Sequence, residues 1–284
     1  MSNAMQGKTV VVTGGTSGIG EVAAVALAGQ GARIVLIARD RARADATLAK
    51  LRAANPSAAH TAHLADLSAI AEMKRVASEV AAAEPRIDVL INNAGAVFTT
   101  RQESVDGLEM TFAVNHLAYF VVTNILLPNL KATPGARIVS TASMAHSSGR
   151  IDFDDLQLRK GYGTFRAYGT SKLMNILFTR ELARRLEGSG VTANSLHPGG
   201  VATRFGSNNS GWLAVLFKVA ISVAGISPEK GAQTIIHLAS SPDVATISGE
   251  YFYKCKVEEP SRAAQDDDAA QRLWEASRQL SGVG

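Results

Sequence analysis

Tyr168 and Lys172 stand four positions apart in the stretch YGTSK, inside a run with helical periodicity. Residues four apart share one helix face. A phenol and an ammonium so related suit acid/base chemistry. Free tyrosine has a pKa of about 10, and a neighbouring positive charge favours its phenolate. Taken alone, the pair also reads as two ordinary surface neighbours, so its meaning depends on what the chain places beside it. A second chemical group stands far upstream. TGGTSGIG joins a β-branched run to an alanine-rich one. Its Gly14, Gly18 and Gly20 let the backbone turn sharply and approach a pyrophosphate at the next helix N-terminus. Tight turns use glycine too, so location has to decide.

The elements that must carry these groups alternate regularly. KTVVVTG reads as a buried strand, IGEVAAVALAGQG as a helix stopped by Gly31, RIVLIAR as a strand, and Arg41 to Ala54 as a helix ending before Pro56. HTAHLADL and IDVLINNAG are strands on either side of the helical IAEMKRVASEVAAA. A long helix over Leu108 to Leu130, the strand ARIVSTAS, the YGTSK helix and the strand VTANSLHPG follow. A helix from Pro228, a short strand at GEYFY and a helix over Asp266 to Leu280 complete the chain. This alternation predicts an α/β fold over residues 5–284: a single-domain, Rossmann-type, doubly wound parallel β-sheet with helices on both faces. Such sheets bind ligands beyond the carboxyl ends of their strands. The short motifs TGGTSGIG, AR, ADL, NNAG, STAS and HPGGVAT all follow strands.

The glycine spacing is G-x-x-x-G-x-G, with Thr16 and Ser17 inside the turn. Together with NNAG at 92–95 and YGTSK, it resembles the short-chain dehydrogenase/reductase family, over residues 7 to about 280. The resemblance implies an oxidoreductase in which Tyr168 exchanges a proton with a substrate oxygen and Lys172 grips the nicotinamide ribose. It further implies that Ser143 hydrogen-bonds the same oxygen and that Asn115 holds a water relaying protons from Lys172. Ser140 competes in the same strand, but the family's serine closes that segment. The implied cofactor contacts are Gly14, Thr16, Ser17, Gly18, Ile19 and Gly20 at the phosphates, with Asp66 and Leu67 at the adenine. Asn93, Ala94 and Gly95 would line the adenosine ribose, and Pro198, Gly199, Val201 and Thr203 would fold over the nicotinamide. An acidic residue closing the second strand would select NAD(H). Here the position is Ala38, followed by Arg39, whose fork suits a 2′-phosphate, so NADP(H) is favoured and NAD(H) stays possible. Asp40 could still fold back toward a ribose.

The segment between Ser143 and Tyr168, and the stretch 227–256, resemble the retinol-dehydrogenase-like branch, which implies a lipophilic carbonyl or alcohol substrate. Residues 204–226 lie where the family places its substrate lid. Trp212, Leu213, Leu216, Phe217 and Val219 would make an apolar wall there, and they suit plain packing equally well.

Other classes fit poorly. Apolar residues make up 46% and charged ones 19%, enough for a sizeable core. The net charge of +4 is spread along the chain except at Arg39, Arg41 and Arg43, a cluster suited to one phosphate rather than a duplex. Cys255 is the only cysteine, so a reducing, cytoplasmic setting is expected. The six histidines lack metal-ligand spacing apart from His60 and His63, and no metal is expected. MSNA before Met5 reads as an expression-tag remnant. The longest apolar stretch, GWLAVLFKVAISVAG, contains Lys218 and falls short of the roughly 20 residues that span a bilayer, so no transmembrane segment is expected. His146, three residues after Ser143, raises a serine hydrolase, but the G-x-S-x-G elbow is missing. An epimerase of the extended branch would need a different glycine gap and a larger C-terminal domain. A catalytically silent NADP-binding regulator is the remaining rival, and the intact set of Asn115, Ser143, Tyr168 and Lys172 argues for turnover. A homodimer or homotetramer is the expected assembly.

Overall fold

Val10, Val11 and Val12 of the first strand, β1 (Thr9–Thr13), are all fully buried, and that double-sided burial dictates the architecture. Val11 belongs to the same core cluster as Met73, Phe112 and Leu177, whereas Val10 and Val12 belong to the one that holds Ala24, Leu27 and Ile235. A strand with no wet side needs helices over both faces of its sheet. The computed structural model, which describes residues 4–200 and 226–284, has that arrangement. One sheet runs in the order β3 (Thr61–Leu64), β2 (Arg33–Ala38), β1, β4 (Val89–Asn92), β5 (Arg137–Thr141), β6 (Thr192–Leu196), β7 (Tyr251–Tyr253), β8 (Lys256–Val257). Helices α1 (Gly18–Gly29), α2 (Arg41–Ala54) and α6 (Pro228–Ser240) cover one face. Helices α3 (Ile70–Ala83), α4 (Met110–Lys131) and α5 (Thr164–Arg185) cover the other, and α7 (Asp267–Ser281) packs on α5.

Strands β1 to β7 are parallel, but β8 returns antiparallel to β7. The expected wholly parallel sheet thus gains one reversed edge strand. The two central residues of its hairpin, Lys254 and Cys255, both have positive φ, 48° and 61°, the geometry a two-residue hairpin turn demands. Helix α4 begins at Met110 rather than Leu108 because the Glu109 carboxylate caps it, accepting from the Thr111 and Phe112 amides. At 22 residues α4 is long and apolar enough to cross a bilayer, a property the sequence reading assigned to no segment. Most of it is buried in the core, where Phe120 meets Trp274 of α7 edge-on with ring centroids 4.9 Å apart.

Strand order reverses at β1, which pairs with β2 on one side and β4 on the other. A crevice therefore opens beyond the carboxyl ends of β1 and β4. Thr13 ties those two ends together. Its hydroxyl accepts from the amides of Asn93 and Ala94 at 3.0 and 3.1 Å, and the residue is 1% exposed. Thr13→Val keeps the shape but leaves both amides without this acceptor, so unfolding stability should fall by about 1–3 kcal/mol. Urea denaturation reads this directly, and an unchanged midpoint would contradict it.

Candidate active site

Gly14 has φ 66°, and a Cβ built there would lie 2.7 Å from the Ala94 Cα. The β1–α1 loop is therefore pressed against the NNAG turn as closely as glycine permits. Asn93 seals the contact: its Nδ2 donates to the Gly14 carbonyl at 3.1 Å, and its Oδ1 accepts from the Thr141 hydroxyl at 3.3 Å. A Cβ on Gly20 would collide with the same Asn93 amide. Ser17 caps α1 in an extended conformation but its hydroxyl makes no cap bond, leaving the first-turn amides to other acceptors. Thr16, Ser17, Gly18 and Ile19 all retain exposure in that turn.

Gly95 comes next along the crevice. A Cβ there would sit 3.4 Å from Asn115 Oδ1 and 3.5 Å from Lys172 Nζ, so three separate motifs meet at one point. Asn115 comes from a π-turn, Ala113–Leu117, at the start of α4, a local widening that often presents functional groups. Its Oδ1 accepts from the Ala96 amide at 2.8 Å, while its Nδ2 donates to the Ala96 carbonyl and to Ser171 Oγ, both at 3.0 Å. Ser171 in turn donates to the Tyr168 carbonyl at 2.8 Å. Lys172 is 2% exposed. Its Nζ donates to the Thr141 carbonyl at 3.1 Å, an acceptor shared with Asn175 Nδ2 at 3.2 Å. Nζ also lies 5.6 Å from the centre of the Tyr168 ring.

Electrostatically, burial acts on both members of the pair. It pushes Lys172 down to about 7 and Tyr168 up to about 12, the Ser143 hydrogen bond opposing the latter rise. Tyr168 keeps some surface exposure, yet its phenol feels the low dielectric of the site. The expected pull of Lys172 on Tyr168 toward neutrality is thus absent from these residues by themselves. The ammonium is engaged by Thr141, and desolvation penalises charge on either group.

Ser143 rather than Ser140 is the serine that meets Tyr168. Ser143 Oγ also accepts from the Ala145 amide at 3.2 Å, whereas the buried Ser140 hydroxyl finds no partner among the described residues. His146 places Nδ1 2.8 Å from the Ser143 carbonyl oxygen; that engagement with the main chain argues against a hydrolytic Ser–His pair. His60 is occupied structurally, between the Ile34 amide and the Asn55 carbonyl, and His63 lies within β3.

At the end of β2, Arg39 is exposed and has no ion pair among the described residues. Asp40 does not fold back. Its carboxylate accepts from the Arg43 amide at 3.0 Å as the cap of α2. Asp66 is exposed after β3, accepting from the Ser68 amide at 3.0 Å, and Leu67 is buried. Pro198 and Gly199 follow β6, with Gly199 at φ 83°. Val201, Thr203 and the expected lid residues Trp212, Leu213, Leu216, Phe217 and Val219 lie outside the described residues. The sequence reading missed Ser171, Asn175 and Thr141. The first two were open to it, since 168, 171, 172 and 175 share one face of α5. Thr141 acts through its carbonyl, which no side-chain pattern announces.

A profile for short chain dehydrogenases matches residues 8–214. The chain belongs to the short-chain dehydrogenase/reductase family. It is 42% identical to human Retinol dehydrogenase 14, over 98% of this chain and 88% of that protein. It is 40% identical to mouse Retinol dehydrogenase 12, over 98% of this chain and 87% of that protein. Among solved structures it resembles an uncharacterised protein from Mycobacterium paratuberculosis, at 31% identity and TM-score 0.79 over 100% of this chain and 98% of that one. It also resembles a short-chain dehydrogenase from Burkholderia cenocepacia in complex with NADP, at 28% identity and TM-score 0.70 over 88% and 96% of the two chains. This dehydrogenase is therefore of the retinol-dehydrogenase-like branch, an oxidoreductase acting on CH–OH donors. The nicotinamide cofactor that the family binds fits the crevice: Gly14 and Gly20 keep clear the space a Cβ would take, and Ser17 leaves the α1 amides uncapped.

The buried lysine makes stability depend on pH. Its folded pKa is about 7, below the ordinary 10.5, so between these values the unfolded chain binds the extra proton. Stability should therefore rise with pH across this window, by about 1 kcal/mol per unit, and be lost as pH falls toward 7. Lys172→Met should remove that slope in urea titrations of the cofactor-free protein between pH 7 and 9.5. Parallel slopes for the two proteins would contradict it.

Proposed function

We propose that this dehydrogenase interconverts a lipophilic alcohol with its aldehyde or ketone, using NADP(H), with Tyr168 as general acid/base. One observation carries the reading: Gly95, Asn115 and Lys172 converge beside a Tyr168 that hydrogen-bonds Ser143. When bound, the nicotinamide cofactor would supply the hydride chemistry. The chain's own residues handle the proton and the charge. Tyr168 gives its phenolic proton to the carbonyl oxygen in reduction and takes it back in oxidation. Ser143 steadies the charge developing on that oxygen. Lys172, next to Gly95 at the end of β4, holds ribose hydroxyls. Asn115 serves the proton relay from Lys172 through an oxygen, because both N–H bonds of its side chain are engaged by Ala96 and Ser171.

Arg39 carries the preference for NADP(H), since Asp40 is committed to the α2 cap and does not compete for the ribose. The lipophilic substrate is supported by two exposed apolar residues close in sequence to Ser143 and Tyr168. Met144, next to Ser143, is 62% exposed, and Phe165, one turn before Tyr168 on α5, is 67% exposed. A lone cysteine, Cys255, suits a reducing, cytoplasmic setting.

A homologous series of straight-chain aldehydes, assayed with NADPH and NADH, tests the reading. kcat/KM should climb with chain length, each buried methylene contributing at most about 0.8 kcal/mol. Met144→Ser and Phe165→Ser should flatten the climb. Arg39→Ala should weaken NADPH binding about 10-fold or more, the loss of a charged phosphate contact, and leave NADH unaffected. Binding of NADPH without turnover of any alcohol or carbonyl would favour the regulator instead. Equal affinities for the two cofactors would overturn the role of Arg39.

A further inference from the structure

His146 is 5% exposed and sits on the short 3-10 helix Met144–Ser148 that leaves β5. Its Nε2 lies 3.1 Å from the Ser261 amide nitrogen, which can only donate, so Nε2 carries no proton. Its Nδ1 lies 2.8 Å from the Ser143 carbonyl oxygen, which can only accept, so Nδ1 carries the proton. Two backbone partners thus select one neutral tautomer. The same Ser143 carbonyl accepts from the His146 main-chain amide at 3.0 Å. Both N–H groups of one residue converge on it, with Ser143 extended at φ −160° and ψ 154°.

The ring is itself held from behind. Tyr251 of β7 packs edge-on against it, with centroids 5.0 Å apart, and stacks on His197 at 5.6 Å. His197 stacks on Tyr253 at 4.1 Å and accepts from the Gly199 amide at 3.2 Å. On its upstream side the Ser143 segment is tied to β6 through the Ala142 amide and Leu196 carbonyl, 2.7 Å apart. Downstream, Met144, Ser147 and Ser148 are exposed, and His146 supplies the link to the strand layer and the C-terminal segment.

We propose that His146 is the positioning residue of Ser143: its Nδ1–H, referenced to Ser261 and Tyr251, holds the serine where its hydroxyl meets Tyr168. The proposal rests on the reading of Ser143 as the substrate-oxygen partner. His146 takes no proton from substrate and makes its contribution through the serine's main chain.

The test is a double-mutant cycle on the aldehyde that the chain-length series finds fastest, with NADPH. His146→Ala should lower kcat by about 10–100-fold, the cost of a misplaced group, with NADPH affinity within about 2-fold of wild type, as expected of a change away from the nucleotide. His146→Asn keeps a donor at the Nδ1 position and should recover most of kcat, whereas His146→Gln, whose amide reaches the Nε2 position, should not. In a Ser143→Ala background, His146→Ala should have little further effect, because the two act as one unit. Full additivity, wild-type turnover in His146→Ala, or equal losses in the Asn and Gln variants would each overturn the proposal. Should the Ala variant fail to fold, the Asn and Gln pair carries the same comparison. Undiminished turnover in Ser143→Ala alone would instead remove the functional reading on which the proposal rests.

Discussion

Lys172 carries its amino group to a place that is 2% exposed, and a charge there must be solvated by the protein itself. The chain meets that demand with a main-chain carbonyl rather than a carboxylate. The Thr141 carbonyl accepts a hydrogen bond from Nζ, Gly95 leaves it room, and Asn115 stands beside the same glycine. No acidic residue pairs with it among the described residues, and burial holds its pKa at about 7. A paired carboxylate would have fixed the lysine as a cation and cancelled its field. Left as it is, the amine is poised between charge states near neutral pH, a property that suits the proton relay proposed for it.

That single constraint organises its neighbours. Thr141 has to end β5 beside β4, so that its carbonyl reaches α5 while its hydroxyl reaches Asn93. Asn93 then binds the Gly14 carbonyl, which locks the glycine loop to the same edge of the sheet. The glycine loop and Lys172 are thereby joined through one short chain of hydrogen bonds across the ends of β1, β4 and β5. The π-turn under Asn115 belongs to the same arrangement: its side chain spans from Ala96 to Ser171 and braces α4 against α5.

Much of this was legible in the sequence because it is periodic or local. The β-branched runs gave the strands, Pro56 and Gly31 bounded helices, and the i, i+4 spacing of Tyr168 and Lys172 placed both on one face. What escaped detection has other physical origins. Strand β8 is only two residues long, too short for any alternation. Asp40 looked free to approach a ribose, because an N-cap is decided by backbone geometry three residues on. In the cofactor-free chain burial outweighs the pull expected of Lys172 on Tyr168, because a formal charge four residues away says nothing about how much water that charge retains. The missing elbow already set His146 aside as a base for Ser143, but that its ring meets the serine's carbonyl is something no spacing announces.

The central claim is that Tyr168 supplies the transferable proton in a site that keeps it neutral until the substrate oxygen acquires charge. The most direct test is the single-turnover rate of aldehyde reduction with pre-bound NADPH, compared between wild type and Tyr168→Phe. The account predicts NADPH affinity close to wild type in the variant and a rate lower by about 10²–10⁴-fold, the usual contribution of one acid/base group. A phenylalanine variant that reduces the aldehyde at a rate near that of wild type would contradict it, and the proton would have to come from another group.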